Sequence, residues 1–410
     1  MAPSVADTIV PEVEHLKRKL APDTTEVKKA PEHNNGGAVG SSVIADDNKD
    51  DTGVDGLPKV LTDHREPLKL SGILDQFKHF DTTPVIGREF VDVDLAEWLR
   101  APNSDELLRD LAITISRRGV VFFRKQDNIT NDLQKELVQR LGELTGKPAT
   151  SGLHIHPVIN ASRDRGGQDN EISVISSVQN RKLYKKFRLQ EGSHNKPQSR
   201  KAEWHSDITF EPVPSDYALL RLTELPTTGG DTLWASGYEV YDRISRPVQK
   251  LLEGLTSYCA QPAFNESAAF NGFELFAGPR GAPENVGESL EARHPVIRTN
   301  PVTGWKSVFA VGNHVKRIEG LTDDESKHFL SWFVQLIVEN HDLQVRQRWQ
   351  SPNDLAIWDN RSVYHAATPD YHEIFGEREG SRAVSLGERP YFDPASTGRK
   401  ESLAKEGAQL

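Results

Sequence analysis

The sequence predicts a mainly β fold with flanking helices, built on a double-stranded β-helix, or jelly-roll, core. Two observations carry this reading. A series of short β-forming runs separated by turn residues fills the chain after residue 170, and the helical stretches lie apart from those runs, as helices outside a double-layered barrel would.

The elements follow in chain order. Residues 1–70 are rich in Pro, Asp, Asn, Lys and Gly ("APEHNNGGAVGSSVIADDNKDDTGVDG") and nearly free of aromatics. They cannot bury enough apolar surface to offset the entropy of ordering, so they read as a disordered tail. A short helix at "PEVEHLKRKL" is compatible with this, and its charged run reads as solvated rather than as a targeting signal. Compact patterning then spans 71–395, with 396–410 as a C-terminal tail. "NSDELLRDLAITISRRG" has a polar start at Asn103, helical apolar spacing and a glycine stop at Gly119. "VVFFRKQ" follows as a strand, and "TNDLQKELVQRLGELTG" is a second helix over about 130–146. Strand candidates come next: "EISVIS", "YALLRL", "DTLWAS", "HPVIRTNPVTGWKSVFA", "LQVRQRWQ", "LAIWDN" and "SRAVSLGE". A turn over Asn300–Gly304 makes the longest of these a hairpin. "LTDDESKHFLSWFVQLIVEN" interrupts them as a helix opened by a capping box of Thr322 and Glu325.

Composition narrows the function classes. With 410 residues, 36% of them hydrophobic, the chain can bury the core of one large domain or two ordinary ones. The net charge of −10, with Lys and Arg dispersed outside one local cluster, gives no nucleic-acid footprint. A single cysteine, Cys259, excludes an internal disulfide and a Cys-based zinc site and suits a reducing compartment. Any metal must therefore be held by N and O ligands. No apolar run is long enough to span a bilayer, and the N-terminus lacks a secretory layout. The expectation is a soluble, cytoplasmic protein with no nucleic-acid or membrane partner; assembly into a homo-oligomer is left open.

Candidate metal ligands need more than spacing. With 14 His and 60 acidic residues, about two His-x-Asp/Glu doublets are expected by chance. The chain holds His64/Glu66, His79/Asp81 and His205/Asp207. The last lies inside the folded region and precedes the β-forming "ITF", which would set both side chains at a strand mouth. His365, after the strand "LAIWDN", supplies a third candidate. Two His and one carboxylate on one face of a metal leave three positions open, as in non-haem Fe(II) oxygenases. The alternative keeps the histidines as hydrogen-bonded loop residues. Past His365, Arg378 and Arg382 are four apart; in a strand they would point to one side, roughly 13 Å from one another. Guanidinium forks suit carboxylate or sulfonate, whereas a lone arginine is ordinarily a surface ion pair.

"WHSDITF", "LPTTGGDTLWASG", "IWDNRSVYHAA" and "SRAVSLGERPYF", with "HIHPV" before them, resemble the TauD/TfdA family of taurine and alkylsulfonate Fe(II)/2-oxoglutarate dioxygenases over about residues 80–395. The resemblance implies that His205, Asp207 and His365 ligate iron. It implies that Arg378 and the Thr232 hydroxyl bind the distal carboxylate of 2-oxoglutarate, and that Arg382 and His156 bind the sulfonate with a backbone N–H near Ile208. It also implies that Phe264 lines the substrate pocket. The reaction it implies takes dioxygen and a small anionic sulfur-containing substrate, hydroxylates the carbon next to sulfur and releases sulfite and an aldehyde; an alkyl sulfate ester or an anionic carboxylate is the alternative substrate. Asp207 argues for hydroxylation over halogenation, since halide needs the carboxylate's position.

Bland readings stand beside these. Thr232 could be a turn residue after Gly229 and Gly230, and Trp204, Trp234 and Trp358 read as core. His154 should point away from His156, because side chains alternate along a strand. The chain also departs from the taurine enzymes. Lys201 replaces an Asn at the amine subsite, where a cation would repel an ammonium, and Ile159 replaces a Tyr. The segment between "HIHP" and "WHSD" is longer and carries the basic "NRKLYKKFRLQ" and "KPQSRK", either a lid for an anionic substrate or a solvated loop. His314 aligns near an aromatic pocket position and could face the substrate.

Overall fold

The computed structural model describes residues 64–158, 169–183, 198–371 and 373–407. Most of the expected tail, the helix at "PEVEHLKRKL", Ile159 and the centre of the basic segment lie outside the described residues. A seven-stranded sheet runs in the order His79–Asp81, Arg88–Phe90, Val120–Phe123, Leu355–Asp359, Ser215–Glu224, Glu379–Leu386, Ile172–Ser176. Its pairs are antiparallel except Arg88–Phe90 with Val120–Phe123. A three-stranded sheet packs against it: Gln344–Gln347, Thr232–Ser236, Val363–Ala367.

The core follows from the pleat, which sends successive side chains to opposite faces. Val120 and Phe122 enter the cluster between the two sheets, with Leu220, Trp358 and Val384 from the larger sheet and Trp234, Val345 and Val363 from the smaller. Trp234 sits 5.5 Å from Phe122 and 5.8 Å from Trp358, ring to ring. Val121 and Phe123 point the other way, into a cluster capped by the helices Ser104–Arg118 and Asn131–Leu144. Behind the smaller sheet, Ala235, Tyr364 and Ala366 meet Phe333 and Ile337 of the helix Asp323–Val338. Both sheets are thus covered on both faces, which is why "VVFF" reads as one apolar run without alternation. Each such aromatic contributes several kcal/mol: truncating Trp358 to Ala would cost about 3–5 kcal/mol. These are the two layers of the jelly roll that the strand pattern predicts. The Thr322–Glu325 capping box and the hairpin between Ile297–Thr299 and Lys306–Val308 are both present.

Three local expectations are corrected. "ITF" forms no strand: residues 208–211 make a turn, with Ile208 at φ 48°, and the strand starts only at Ser215. The tail boundary at 70 is too late, because Leu68 N–H donates to Val302 O (2.9 Å) and His64 Nδ1 meets Asp393 Oδ2 (2.6 Å). The described part of the expected C-terminal tail, 396–407, is no plain tail: the helix Arg399–Lys405 docks by burying Arg399, whose guanidinium donates to Glu239 (3.0 Å). No described helix is long and apolar enough to cross a membrane.

Candidate active site

His205 and His365, far apart in sequence, face each other across a one-pair antiparallel bridge. His205 N–H donates to His365 O (3.1 Å), and His365 N–H donates to His205 O (2.8 Å). The strand Val363–Ala367 aims His365 inward by pairing it with Trp234. The two imidazoles stand 4.3 Å apart, and each Nε2 lies 3.9 Å from Asp207 Oδ1. Among the described residues this is the cluster of His and acidic side chains able to converge on one ion, all three ligand atoms lying within 4.8 Å of one another.

The turn carrying Asp207 is held from behind by Asn360. Its Oδ1 accepts from Asp207 N–H (3.2 Å) and Trp358 Nε1–H (3.0 Å), its backbone O accepts from Ser206 Oγ (2.6 Å), and its Nδ2 donates to Ser215 Oγ (2.9 Å). Ile208 completes the turn in a left-handed conformation that a β-branched residue rarely adopts, so the surrounding structure must impose it. On the other side Gly312, at φ 112°, lies so close that a Cβ there would come within 2.9 Å of His205 Cβ.

His365 and Asp207 are in the protonation states that a metal needs, and His205 is oriented for one. His205 Nδ1 donates to Glu203 O (2.7 Å), which fixes the tautomer and turns the Nε2 lone pair inward. Burial, with His205 and Arg382 nearby, pushes the His365 pKa down to about 3, so its imidazole is neutral. Burial opposes ionisation of Asp207, but Arg382, His365 and His205 outweigh it and hold the carboxyl well below its usual range. Among the described residues, Asp207 Oδ2 and His365 Nδ1 are buried with no hydrogen-bond partner. An orphaned buried polar atom costs roughly 1–3 kcal/mol, which a metal can offset at the Asp207 carboxylate; His365 faces that carboxylate with Nε2, so its Nδ1 is not the ligand atom. Two imidazole nitrogens and one carboxylate fit Fe(II).

Beside this cluster stand two arginines. Arg378 sits just before the strand Glu379–Leu386, whose ladder with Ile172–Ser176 is unbroken and continues through Ser177 N–H to Arg378 O; the shift against Ser215–Glu224 skips Thr223 of that partner strand, so alternation keeps Arg378 and Arg382 on one side. Its Nε donates to Gly230 O (2.9 Å) and its Nη2 to Thr232 Oγ1 (3.3 Å). Trp349 Nε1 also donates to Thr232 Oγ1 (3.1 Å), leaving the Thr232 hydrogen to donate elsewhere. Register puts Thr232 on the same face as Trp234, the partner of His365. Arg378 is buried, which lowers its pKa against Tyr371 and Asp231, and no described carboxylate lies within ion-pairing distance. An uncompensated buried charge is costly, so this fork suits an anionic ligand. Arg382 Nη1 donates to Asp207 Oδ1 (2.7 Å).

A row of rings links the remaining expected residues. His156 lies 5.1 Å from Phe264, Phe264 5.5 Å from Phe210, Phe210 5.1 Å from His314, and His314 6.2 Å from His205. His156 Nδ1 accepts from Val158 N–H (3.0 Å), so the neutral ring carries its hydrogen on Nε2; burial, then Arg382, keep it neutral. His314 is likewise pushed down to about 3 by burial, and its Nδ1 meets Thr209 Oγ1 (3.1 Å). His154 instead joins a buried network with Glu211 (3.3 Å) and Arg280. Lys201 does not join the group: it is exposed and lines a separate cavity of about 220 Å³ with Trp204, Leu330 and Val334, which no metal-cluster residue lines. Asn360, Gly312 and Trp349 were not legible as site residues, although "WDN" directly after a strand placed Asn360 where a bracket was possible.

The family model described as taurine catabolism dioxygenase TauD, TfdA family, matches residues 78–384. The chain is 55% identical over 345 residues to alpha-ketoglutarate-dependent dioxygenase btcD of Neocamarosporium betae, covering 82% of this chain and 98% of that protein. It is 29% identical over 319 residues to the alpha-ketoglutarate-dependent sulfonate dioxygenase of Saccharomyces cerevisiae, covering 78% and 69%. A crystal structure of a taurine dioxygenase from Burkholderia xenovorans matches at 22% identity with a TM-score of 0.56, over 77% of this chain and 92% of that one, a likeness of fold. The chain belongs to the TauD/TfdA family and is an alpha-ketoglutarate-dependent dioxygenase, with Fe(II) as its metal and 2-oxoglutarate as co-substrate.

Proposed function

We propose that this dioxygenase hydroxylates the carbon next to sulfur in an alkylsulfonate, giving sulfite and an aldehyde while 2-oxoglutarate becomes succinate and CO2. The observation that best supports a small anionic substrate is the convergence of part-buried Arg382 and neutral His156 beside Asp207. The sulfonate dioxygenase of S. cerevisiae, similar over most of this chain, supports the sulfur chemistry.

In this reading Fe(II), held by His205, Asp207 and His365, supplies the oxidising chemistry that dioxygen and 2-oxoglutarate make available. The protein's own part is orientation. Arg378 and the Thr232 hydroxyl grip one carboxylate of 2-oxoglutarate through charge-assisted hydrogen bonds. Arg382 and the His156 Nε2–H hold the sulfonate oxygens, and fixing that end sets the neighbouring carbon toward the metal cluster. Phe210 and Phe264 exclude water from the reacting carbon. Because Lys201 lines another cavity, its charge gives no reason to reject a substrate carrying an ammonium.

The test is aerobic turnover of a panel of alkylsulfonates, alkyl sulfate esters and aryloxy acids, with sulfite, sulfate and succinate measured together. Sulfite in step with succinate is expected. Succinate coupled to sulfate, or to an aryloxy acid alone, would refute the sulfonate assignment.

A further inference from the structure

The shortest charged contact in the metal cluster joins the two halves of the site. Arg382 Nη1 lies 2.7 Å from Asp207 Oδ1, and that same oxygen lies 3.9 Å from both imidazole Nε2 atoms. One carboxylate oxygen therefore faces two cationic claimants, the guanidinium and any ion bound by the imidazoles. Neither arginine nor aspartate has an obvious substitute partner: Arg382 Nε and Asp207 Oδ2 are both buried without a hydrogen bond among the described residues. The two side chains are only 12% and 5% exposed, so water and salt screen them weakly. The groups around them add no second anion. His156 and His314 are held neutral by burial, and the nearby Glu211 is already engaged by Arg280 and His154.

We infer that Arg382 is the internal counter-ion of Asp207 in the metal-free protein, and that metal binding releases it for an anionic substrate. The guanidinium and the metal oppose each other at Oδ1 through like charge at short range. A metal that claims Oδ1 weakens the arginine's hold. An anion on Arg382 likewise relieves the aspartate. By linkage, metal and anion then favour each other's binding by the same factor. The device keeps an anionic substrate from being held firmly in a site that has no iron to oxidise it. The inference rests on His205, Asp207 and His365 as the ligand set, but not on the identity of the substrate.

The test uses the full chain stripped with a chelator and titrated with Co(II), read by calorimetry and by the visible absorption of the bound ion. Arg382→Gln removes the competing charge and should bind Co(II) roughly tenfold tighter than the parent, within the usual range of such couplings. Arg382→Lys keeps a charge there and should stay within about threefold of the parent. Arg382→Met serves as a second neutral variant should the Gln variant melt lower. Equal or weaker Co(II) binding by the neutral variants, with His365→Ala still strongly impaired, overturns the counter-ion role and leaves the ligand set standing. Undiminished binding by His365→Ala overturns the ligand set and the inference together.

Discussion

Replacing Asn360 with Ala tests the bracket behind Asp207. The substitution removes one acceptor shared by Asp207 N–H and Trp358 Nε1–H and one donor to Ser215 Oγ, all buried. Two donors lose their partner where water cannot replace it. At about 1–3 kcal/mol for each buried unsatisfied group, the cost is roughly 2–6 kcal/mol, a large part of the about 5–15 kcal/mol that holds a typical domain together. For a domain of more than 300 residues about 1 kcal/mol shifts Tm by roughly 1.5 °C, so the metal-free variant should melt at least about 3 °C below the parent. The Asp207 turn should also loosen, and Co(II) affinity should fall several-fold. Asn360→Asp, which keeps the acceptor oxygens, should retain more Co(II) affinity than Asn360→Ala. Differential scanning calorimetry with and without Co(II) measures both effects. An Asn360→Ala protein that melts within a degree of the parent and binds Co(II) equally would refute the claim that this side chain positions the carboxylate.

Further expectations can be measured on the same material. Gly312→Ala forces a Cβ against His205 and a left-handed φ onto an L residue, so Co(II) affinity should drop at least several-fold, and a parent-like titration would contradict it. Arg378→Met removes a buried guanidinium with no described carboxylate partner; the metal-free protein should melt no lower than the parent, while the thermal shift induced by 2-oxoglutarate should vanish. His294, buried with Nε2 against Thr209 O (2.9 Å), has its pKa pushed from 6.5 down to about 3 by burial and then by Arg298. The unfolded chain therefore binds this proton between about pH 3 and 6.5 while the folded chain does not, so stability is full above about 6.5 and is lost as pH falls toward 3. His294→Gln should flatten that part of the denaturation profile, and an unchanged pH slope would count against it.

How much of this was legible in the chain depends on the distance over which each feature is encoded. Most strands of the two main layers were legible because their apolar runs and turn residues are local signals, as is the Thr322–Glu325 cap; His79–Asp81, Arg88–Phe90 and Val363–Ala367, short or rich in polar residues, were not. The His205/Asp207 doublet is local as well, but its meeting with His365 needs the pairing of Val363–Ala367 with Thr232–Ser236, which composition and spacing do not encode. "ITF" misled because β-forming residues were overruled by the turn that Asn360 and the packing around it impose on Ile208. Lys201 misled for a related reason: a short 3-10 turn, Lys201–Glu203, turns it toward the helix Asp323–Val338. Arg399 shows the converse case, since a polar terminal stretch folds once Glu239 offers its guanidinium a buried partner.

The reciprocal bridge between His205 and His365 also bears on biogenesis. A nascent chain that has emerged only as far as residue 350 lacks one imidazole and the strand that aims it. Such a partial product could not gather ferrous ion at this triad, and so could not turn oxygen over at a half-built centre while still being synthesised. Competence for redox chemistry arrives with the completed fold.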